Sequence, residues 1–316
     1  MLDVLSITGP IYLTIAIGYL ATRLGLFAKA DMRVFGKFVI NLALPALLFN
    51  ALSQRRLGEI LNLSYLLVYA LGSLVVVIGA VMWAHVRSDR PLDESSYFAM
   101  GMACSNSGFV GYPVVLLLLG PVAAVSLALN MVVENLLVIP LLLMLADMGA
   151  GGRYGQRLWG RAVMQTMAQQ ARNPMIVAIV IGFAFSLLGW QLPGPVARTV
   201  NLFSQASGAL ALFVIGGTLV GLEVKGMRTS VAQIALGKLI LHPLAVLAAL
   251  WLIPIADPAL RTAVILTAAM PMMGIYPILA QRHGHEDNAA AALLVTTVAS
   301  FFTLSGLLWV LKHPIS

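Results

Sequence analysis

Ten mostly apolar stretches of bilayer-spanning length follow one another along this chain and leave room for little else. A helix needs about 20 apolar residues to cross the hydrocarbon core, and in lipid its backbone groups must be satisfied within the protein. The sequence predicts helices over 5–23, 31–52, 62–86, 94–119, 122–146, 172–190, 198–221, 229–253, 258–281 and 287–311. The second opens on Asp31, Arg33 and Lys37, and Gly and Pro interrupt the fourth and ninth. Only 10% of the 316 residues are charged, against about 25% in a soluble domain. So few charges cannot cover a water-facing surface, and the fold class is an all-α membrane protein.

The net charge of +7 sits in short loops between the apolar runs, which argues for topology signals rather than nucleic-acid binding. With the N-terminus outside, the inner loops carry Arg23, Lys29, Arg33, Lys37, Arg87, Arg90, Arg153, Arg157, Arg161, Arg172, Lys225, Arg228 and Arg282. The outer side carries Arg55, Arg56, Arg198, Arg261 and Lys312. This asymmetry supports ten spans with both termini outside. Met1 to Leu5 lacks Lys and Arg and no cleavage-like site follows, so the start reads as a first span rather than a signal peptide. Cys104 is the sole cysteine, which excludes an intrachain disulfide.

The Gly-rich, basic stretch 147–170 divides the chain into halves, 1–146 and 171–316. Shifted by 164 residues, Pro10 falls on Pro174, Ile17-Gly18-Tyr19 on Ile181-Gly182-Phe183, Leu48-Phe49 on Leu212-Phe213, and Tyr112-Pro113 on Tyr276-Pro277. Five spans per half is an odd number, so the second half is expected to be inverted relative to the first. Inverted repeats with interrupted helices in matching positions mark secondary transporters, and the interruptions point to the binding site.

The fourth span reads Ser105-Asn106-Ser107-Gly108-Phe109-Val110-Gly111-Tyr112-Pro113, and the ninth Pro271-Met272-Met273-Gly274-Ile275-Tyr276-Pro277. Proline removes a donor and clashes with the preceding turn, and glycine leaves helical geometry at low steric cost. Both helices are therefore expected to unwind near mid-membrane and cross. Each break is expected to expose a half-helix N-terminus suited to a carboxylate, with Asn106 and Ser107 adding side-chain hydrogen bonds. A plain proline kink is the competing reading of either break alone.

Glu134 and Asn135 lie mid-span in the fifth helix, where an unpartnered carboxylate costs at least ~2.5 kcal/mol. Glu134 is read as a proton-coupling or substrate-contacting group, against a merely structural buried carboxyl. Lys238 lies about nine residues into the eighth span; it either meets an anionic substrate, pairs with Glu134, or snorkels to the headgroups. His242 reads as a packing residue, Asn41 and Pro45 as a kink in the second helix, and Gly216 and Gly217 as sites of close helix contact. Cys104 reads as a small apolar neighbour of the break, and His283 and His285 as part of a solvated connection rather than a metal site. No paired aspartates, Ser–His or Ser–Lys set, or H-E-x-x-H motif falls in the spans, so enzyme chemistry is not expected.

At these residues the chain resembles the auxin efflux carrier family, as a bacterial member similar to plant PIN carriers and to bacterial malonate or malate transporters. The matching pieces are Asn41 to Pro45, Asn106 to Pro113, Arg172-Asn173-Pro174, Lys238 to Pro243 and Pro271 to Pro277. The resemblance implies the fold shared with bile-acid symporters and sodium/proton antiporters: two inverted five-helix repeats with helices 4 and 9 broken and crossing. It also implies a scaffold of helices 1, 2, 6 and 7 and a transport domain of helices 3–5 and 8–10, and a homodimer through the scaffold helices is the candidate assembly. The expected function is secondary transport of a small organic anion by elevator-type alternating access across the bacterial inner membrane. By the same resemblance Asn106 contacts the substrate carboxylate, and Pro113 and Pro277 hold the crossing. Lys238 stands where plant members carry an arginine. Tyr112 and Tyr276 replace smaller aliphatic residues, so the pocket is expected to differ from one built for auxin.

The expected substrate-binding set is Asn106, Ser107, Gly108, Glu134, Lys238, Gly274 and Tyr276, and the crossover set is Gly111, Tyr112, Pro113, Pro271 and Pro277. No cofactor or metal is expected, and H+, through Glu134, or Na+ is the candidate coupling ion. A channel or membrane sensor using the same crossover is the rival reading.

Overall fold

The computed structural model describes residues 2–55, 61–149, 172–222 and 228–312. Among these, every regular element is helical. We number the helices α1 (Leu2–Arg23), α2 (Lys29–Ser53), α3 (Leu63–Arg87), α4 (Leu92–Ala103), α5 (Ser107–Leu119), α6 (Val122–Gly149), α7 (Pro174–Leu188), α8 (Gly194–Thr218), α9 (Thr229–Leu252), α10 (Pro258–Ala268), α11 (Tyr276–Ala280) and α12 (Glu286–Leu311). Helices α2, α3, α6, α8, α9 and α12 are long and apolar enough to cross a membrane, and α5, α7 and α10 are shorter apolar helices. Most of the predicted stretch 147–170, together with Arg56, Arg153, Arg157, Arg161 and Lys225, lies outside the described residues.

Local chemistry sets the helix ends. Asn173 accepts a hydrogen bond from the Met175 amide, Pro174 supplies a ready-made first turn, and Gly189 closes α7 in the left-handed conformation at φ 64°. Asp257 accepts from the amides of Ala259 and Leu260 at the start of α10. The charged opening of α2 is a capped first turn, in which Asp31 accepts from the Ala28 amide at 2.8 Å.

Four helices, α2, α5, α6 and α9, contain a widened π turn, at Val39–Ala43, Ser107–Gly111, Glu134–Val138 and Gly237–Leu241. Each ends two residues before a proline: Pro45, Pro113, Pro140 and Pro243. A proline lacks its amide and its ring collides with the carbonyl four residues back. That carbonyl belongs to Asn41, Phe109, Leu136 and Leu239, the middle residue of each π turn, so widening the turn relieves the clash. The kink expected at Asn41 and Pro45 takes this form. A fifth π turn, Trp83–Arg87, ends α3 without such a proline.

The chain divides into two compact units. The first holds α1, α2, α5, α6 as far as Met131, α7 and α8. In it α8 packs on α1 and α2, and α7 on α2. A Cβ at Gly18 would fall on the Phe213 carbonyl and one at Gly216 on the Ile15 carbonyl, so α1 and α8 meet backbone to backbone. The second unit holds nearly all of α3, then α4, α6 from Val132, and α9 to α12. Here α4 packs on α6, α9 and α12, and α11 on α12. A cavity of about 650 Å³ in this unit is lined by Val75, Trp83, Phe98, Leu236 and Leu244. Its lining is almost wholly apolar, so it does not suit a carboxylate.

Candidate functional site

Helix α4 stops at Ala103, and Cys104 turns into extended backbone at φ −96° and ψ 122°. Helix α10 stops at Ala268, and α11 begins only at Tyr276. The two unwound segments pair as a single antiparallel bridge between Ser105 and Met272. The Asn106 amide donates to the Pro271 carbonyl at 2.8 Å and the Met273 amide to the Cys104 carbonyl at 3.3 Å. Each break thus satisfies part of the other's backbone, which lipid could not do.

Two buried ionisable side chains hold the broken ends. Glu134 Oε1 accepts from the Ser105 amide at 3.0 Å and from the Tyr69 hydroxyl at 2.6 Å. The Ser105 hydroxyl lies 3.1 Å from the same Tyr69 oxygen. Since Tyr69 gives its one proton to Glu134, Ser105 can donate back to it. On the other side, Lys238 Nζ donates to the Ala268 carbonyl, the last of α10, at 2.6 Å and lies 2.9 Å from His242 Nδ1. With Nδ1 accepting, Nε2 carries the ring proton and donates to Ser73 Oγ at 3.0 Å. A carboxyl on α6 therefore holds an amide within the first break, and an amine on α9 holds the carbonyl just before the second. Both groups sit on π turns, a form that recurs at functional sites.

The expected site residues sort as follows. Asn106 lies in the first break and Ser107 begins α5, both buried. The sequence reading placed Gly108, Gly111, Tyr112 and Pro113 in unwound chain, but they are helical. Unwinding is confined to Cys104–Asn106, because the clash of Pro113 is absorbed by the π turn. Pro271 and Gly274 do lie in the second break, whereas Tyr276 and Pro277 open α11. The Tyr276 hydroxyl donates to the Tyr97 carbonyl at 2.8 Å, tying α11 to α4. The expected pair of half-helix N-termini is also unequal, since α11 has only five residues and a correspondingly weak dipole. Lys238 does not snorkel, being wholly buried.

Sequence reasoning missed Tyr69 and Ser73, which lie in an otherwise apolar run, and it read His242 as packing. The signal for His242 was its place four residues after Lys238, one helical turn on. The connection after α11 is also more than a solvated loop. His283 Nδ1 lies 2.9 Å from the Tyr97 hydroxyl, His283 Nε2 lies 3.4 Å from Asp147, and His285 Nε2 lies 3.1 Å from Asp93. Burial pulls the Asp93 carboxyl upward, but hydrogen bonds from His285 and from backbone amides outweigh it and hold the group below its ordinary range.

Bilayer-length helices around paired breaks, with buried polar groups gathered at those breaks, define a multi-pass membrane transporter. Residues 7–309 match the family model described as "Membrane transport protein", and the chain belongs to that family, to which the auxin efflux carriers also belong. It is 29% identical to the "Putative malonate transporter" of Rhizobium meliloti (strain 1021), over 99% of this chain and 97% of that protein. It is 26% identical to the "Uncharacterized transporter YfdV" of Escherichia coli (strain K12), over 95% of each. It is 23% identical to "Auxin efflux carrier component 8" of Arabidopsis thaliana, over 95% of this chain and 97% of that protein. The family and these relatives are transporters, not enzymes.

Proposed function

We propose that this protein is a secondary transporter for a small organic anion, a mono- or dicarboxylate such as malonate or malate, bound at the paired breaks. The observation that carries the reading is the backbone pairing of Cys104–Asn106 with Pro271–Met273, buried beside Glu134 and Lys238. Non-helical main chain in a membrane protein is tolerated where it is buried in protein or lines a wet cavity, and in transporters such breaks mark the substrate site. Asn106 in the first break supplies the contact for a carboxylate, and Gly274 and Tyr276 border it from the second break. Lys238 offsets the anionic charge. The name of the Rhizobium relative supports the dicarboxylate class.

In this reading the chain makes ten spans as two inverted halves in the bacterial inner membrane, with both termini outside. Transport is by alternating access of the elevator type. The bridge, Glu134 and Lys238 all belong to the second unit, which gives the moving body a site of its own. Helices α1, α2, α7 and α8 supply the scaffold and the homodimer contact. Glu134 is the candidate proton-coupling group, and uptake measured across pH and sodium separates H+ from Na+ coupling.

The test is uptake of radiolabelled malonate, or of whichever organic acid most stabilises the purified protein against heat, into proteoliposomes. The reading requires saturable uptake that Asn106→Ala and Glu134→Gln each reduce while the protein stays folded. Large ohmic currents would indicate a channel instead, and wild-type flux in both variants would remove the site assignment.

A further inference from the structure

We propose a second anion-binding site, in the first unit, anchored by Arg55 where α2 ends. Two cavities meet there. One, of about 560 Å³, lies among the end of α2, Tyr112 and Leu116 of α5, the start of α6, and Ser204 of α8. The other, of about 460 Å³, lies between α2, the end of α7 and the start of α8. Asn50, Gln54 and Arg55 line both. The larger cavity is the proposed site, since its lining adds Tyr112 and Ser204 to the shared three.

Arg55 is half-buried, and among the described residues its guanidinium has no carboxylate partner. A guanidinium presents a planar fork of donors that matches a carboxylate bidentately. The neighbouring amides favour the same ligand. Gln54 Nε2 donates to Asn50 Oδ1, which occupies the Asn50 oxygen and leaves that amide to act as a donor. Among the described residues, the lining therefore carries a fixed positive charge, an amide donor and the hydroxyl-bearing Tyr112 and Ser204, and no acidic side chain. That inventory selects a small carboxylate and disfavours a cation or an apolar guest.

Its place in the chain gives the site a use. The α2 end, the turn between α5 and α6 and the turn between α7 and α8 all belong to the face opposite the strongly basic loops in the two-sided reading of the chain. A carboxylate held there is concentrated on that face of the transporter. Its identity as a transported acid rests on the carrier reading above, whereas the existence of the site does not.

The experiment uses cysteine reporters in the purified full-length protein. Ala51 lines only the larger cavity and Ala197 only the smaller, and native Cys104 is buried and silent. Ala51→Cys is labelled with an anionic and with a cationic methanethiosulfonate of similar size. The site predicts that the anionic reagent reacts about fivefold faster, as expected of one charge a few ångströms away. Arg55→Gln should erase that preference, Arg55→Lys should keep most of it, and malonate should slow the anionic reaction. A preference unchanged by Arg55→Gln, or protection by malonate at Ala197→Cys alone, would overturn the assignment. Labelling needs no transport, so its failure leaves the carrier reading standing, and failed uptake leaves this site standing.

Discussion

The two breaks look alike in sequence and are built differently. The second, between α10 and α11, is written locally. Pro271 offers no amide to the helix, and a residue before proline is disfavoured in helical geometry, so Met270 and its neighbours leave the helix unaided. The first, between α4 and α5, has no proline until Pro113, after the helix has resumed. It opens because partners elsewhere take its amides: the Glu134 carboxylate takes that of Ser105 and the Pro271 carbonyl that of Asn106. One break is thus specified by residues within it. The other is specified by a side chain on α6 and by the first break's partner, which makes it the one that chemistry at Glu134 can alter.

The largest effect is therefore expected from Glu134→Leu. It strands the Ser105 amide, at on the order of 1–3 kcal/mol, and leaves the Tyr69 hydroxyl with Ser105 Oγ as its acceptor. Thermal unfolding in detergent should fall markedly and uptake should be lost, while Glu134→Gln keeps an acceptor oxygen and should unfold closer to wild type. Equal destabilisation by Leu and Gln would mean that Glu134 does not hold the first break. Lys238→Met comes next. It removes the donor to the Ala268 carbonyl and leaves His242 Nδ1 without its partner, at roughly 1–3 kcal/mol, and the loss should be smaller in Lys238→Arg. Pro271→Ala should cost less stability, because α10 can extend by a residue or two. It should instead shift the Asn106 bridge, read as a loss of uptake with little change in unfolding temperature.

The smallest effect concerns the far end of α4. Asp93 is held below its ordinary value, so its contribution to stability is present above the usual carboxylate range of about 4 and is lost as pH falls through the lowered value. Asp93→Asn should remove that part of the acid sensitivity and leave stability near neutrality only slightly changed. An unaltered acid-unfolding profile would show that the His285 contact contributes nothing.

What was legible in the sequence followed from local rules. The charge scarcity gave a membrane protein, and predicted helix limits such as 122–146 and 229–253 lie close to the observed Val122–Gly149 and Thr229–Leu252. Proline positions marked where helices deform, but not how. A π turn absorbs the clash at Pro113, so Gly108 to Pro113 stays helical where unwinding was expected. The opening at Cys104–Asn106 left almost no local mark, because its causes lie at Glu134, 29 residues away from Ser105, and in α10. Tyr69 and Ser73 were invisible for the same reason: a lone hydroxyl in an apolar run shows its purpose only once its partner is placed beside it.

Equilibrium binding of radiolabelled malonate, or of the acid that most stabilises the protein, to purified wild type and to Asn106→Ala tests the central claim most directly. If the paired breaks form the anion site, the variant should lose about tenfold or more in affinity, the worth of one hydrogen bond to a charged group, with its fold intact by circular dichroism. Binding as tight as wild type in Asn106→Ala would contradict the account.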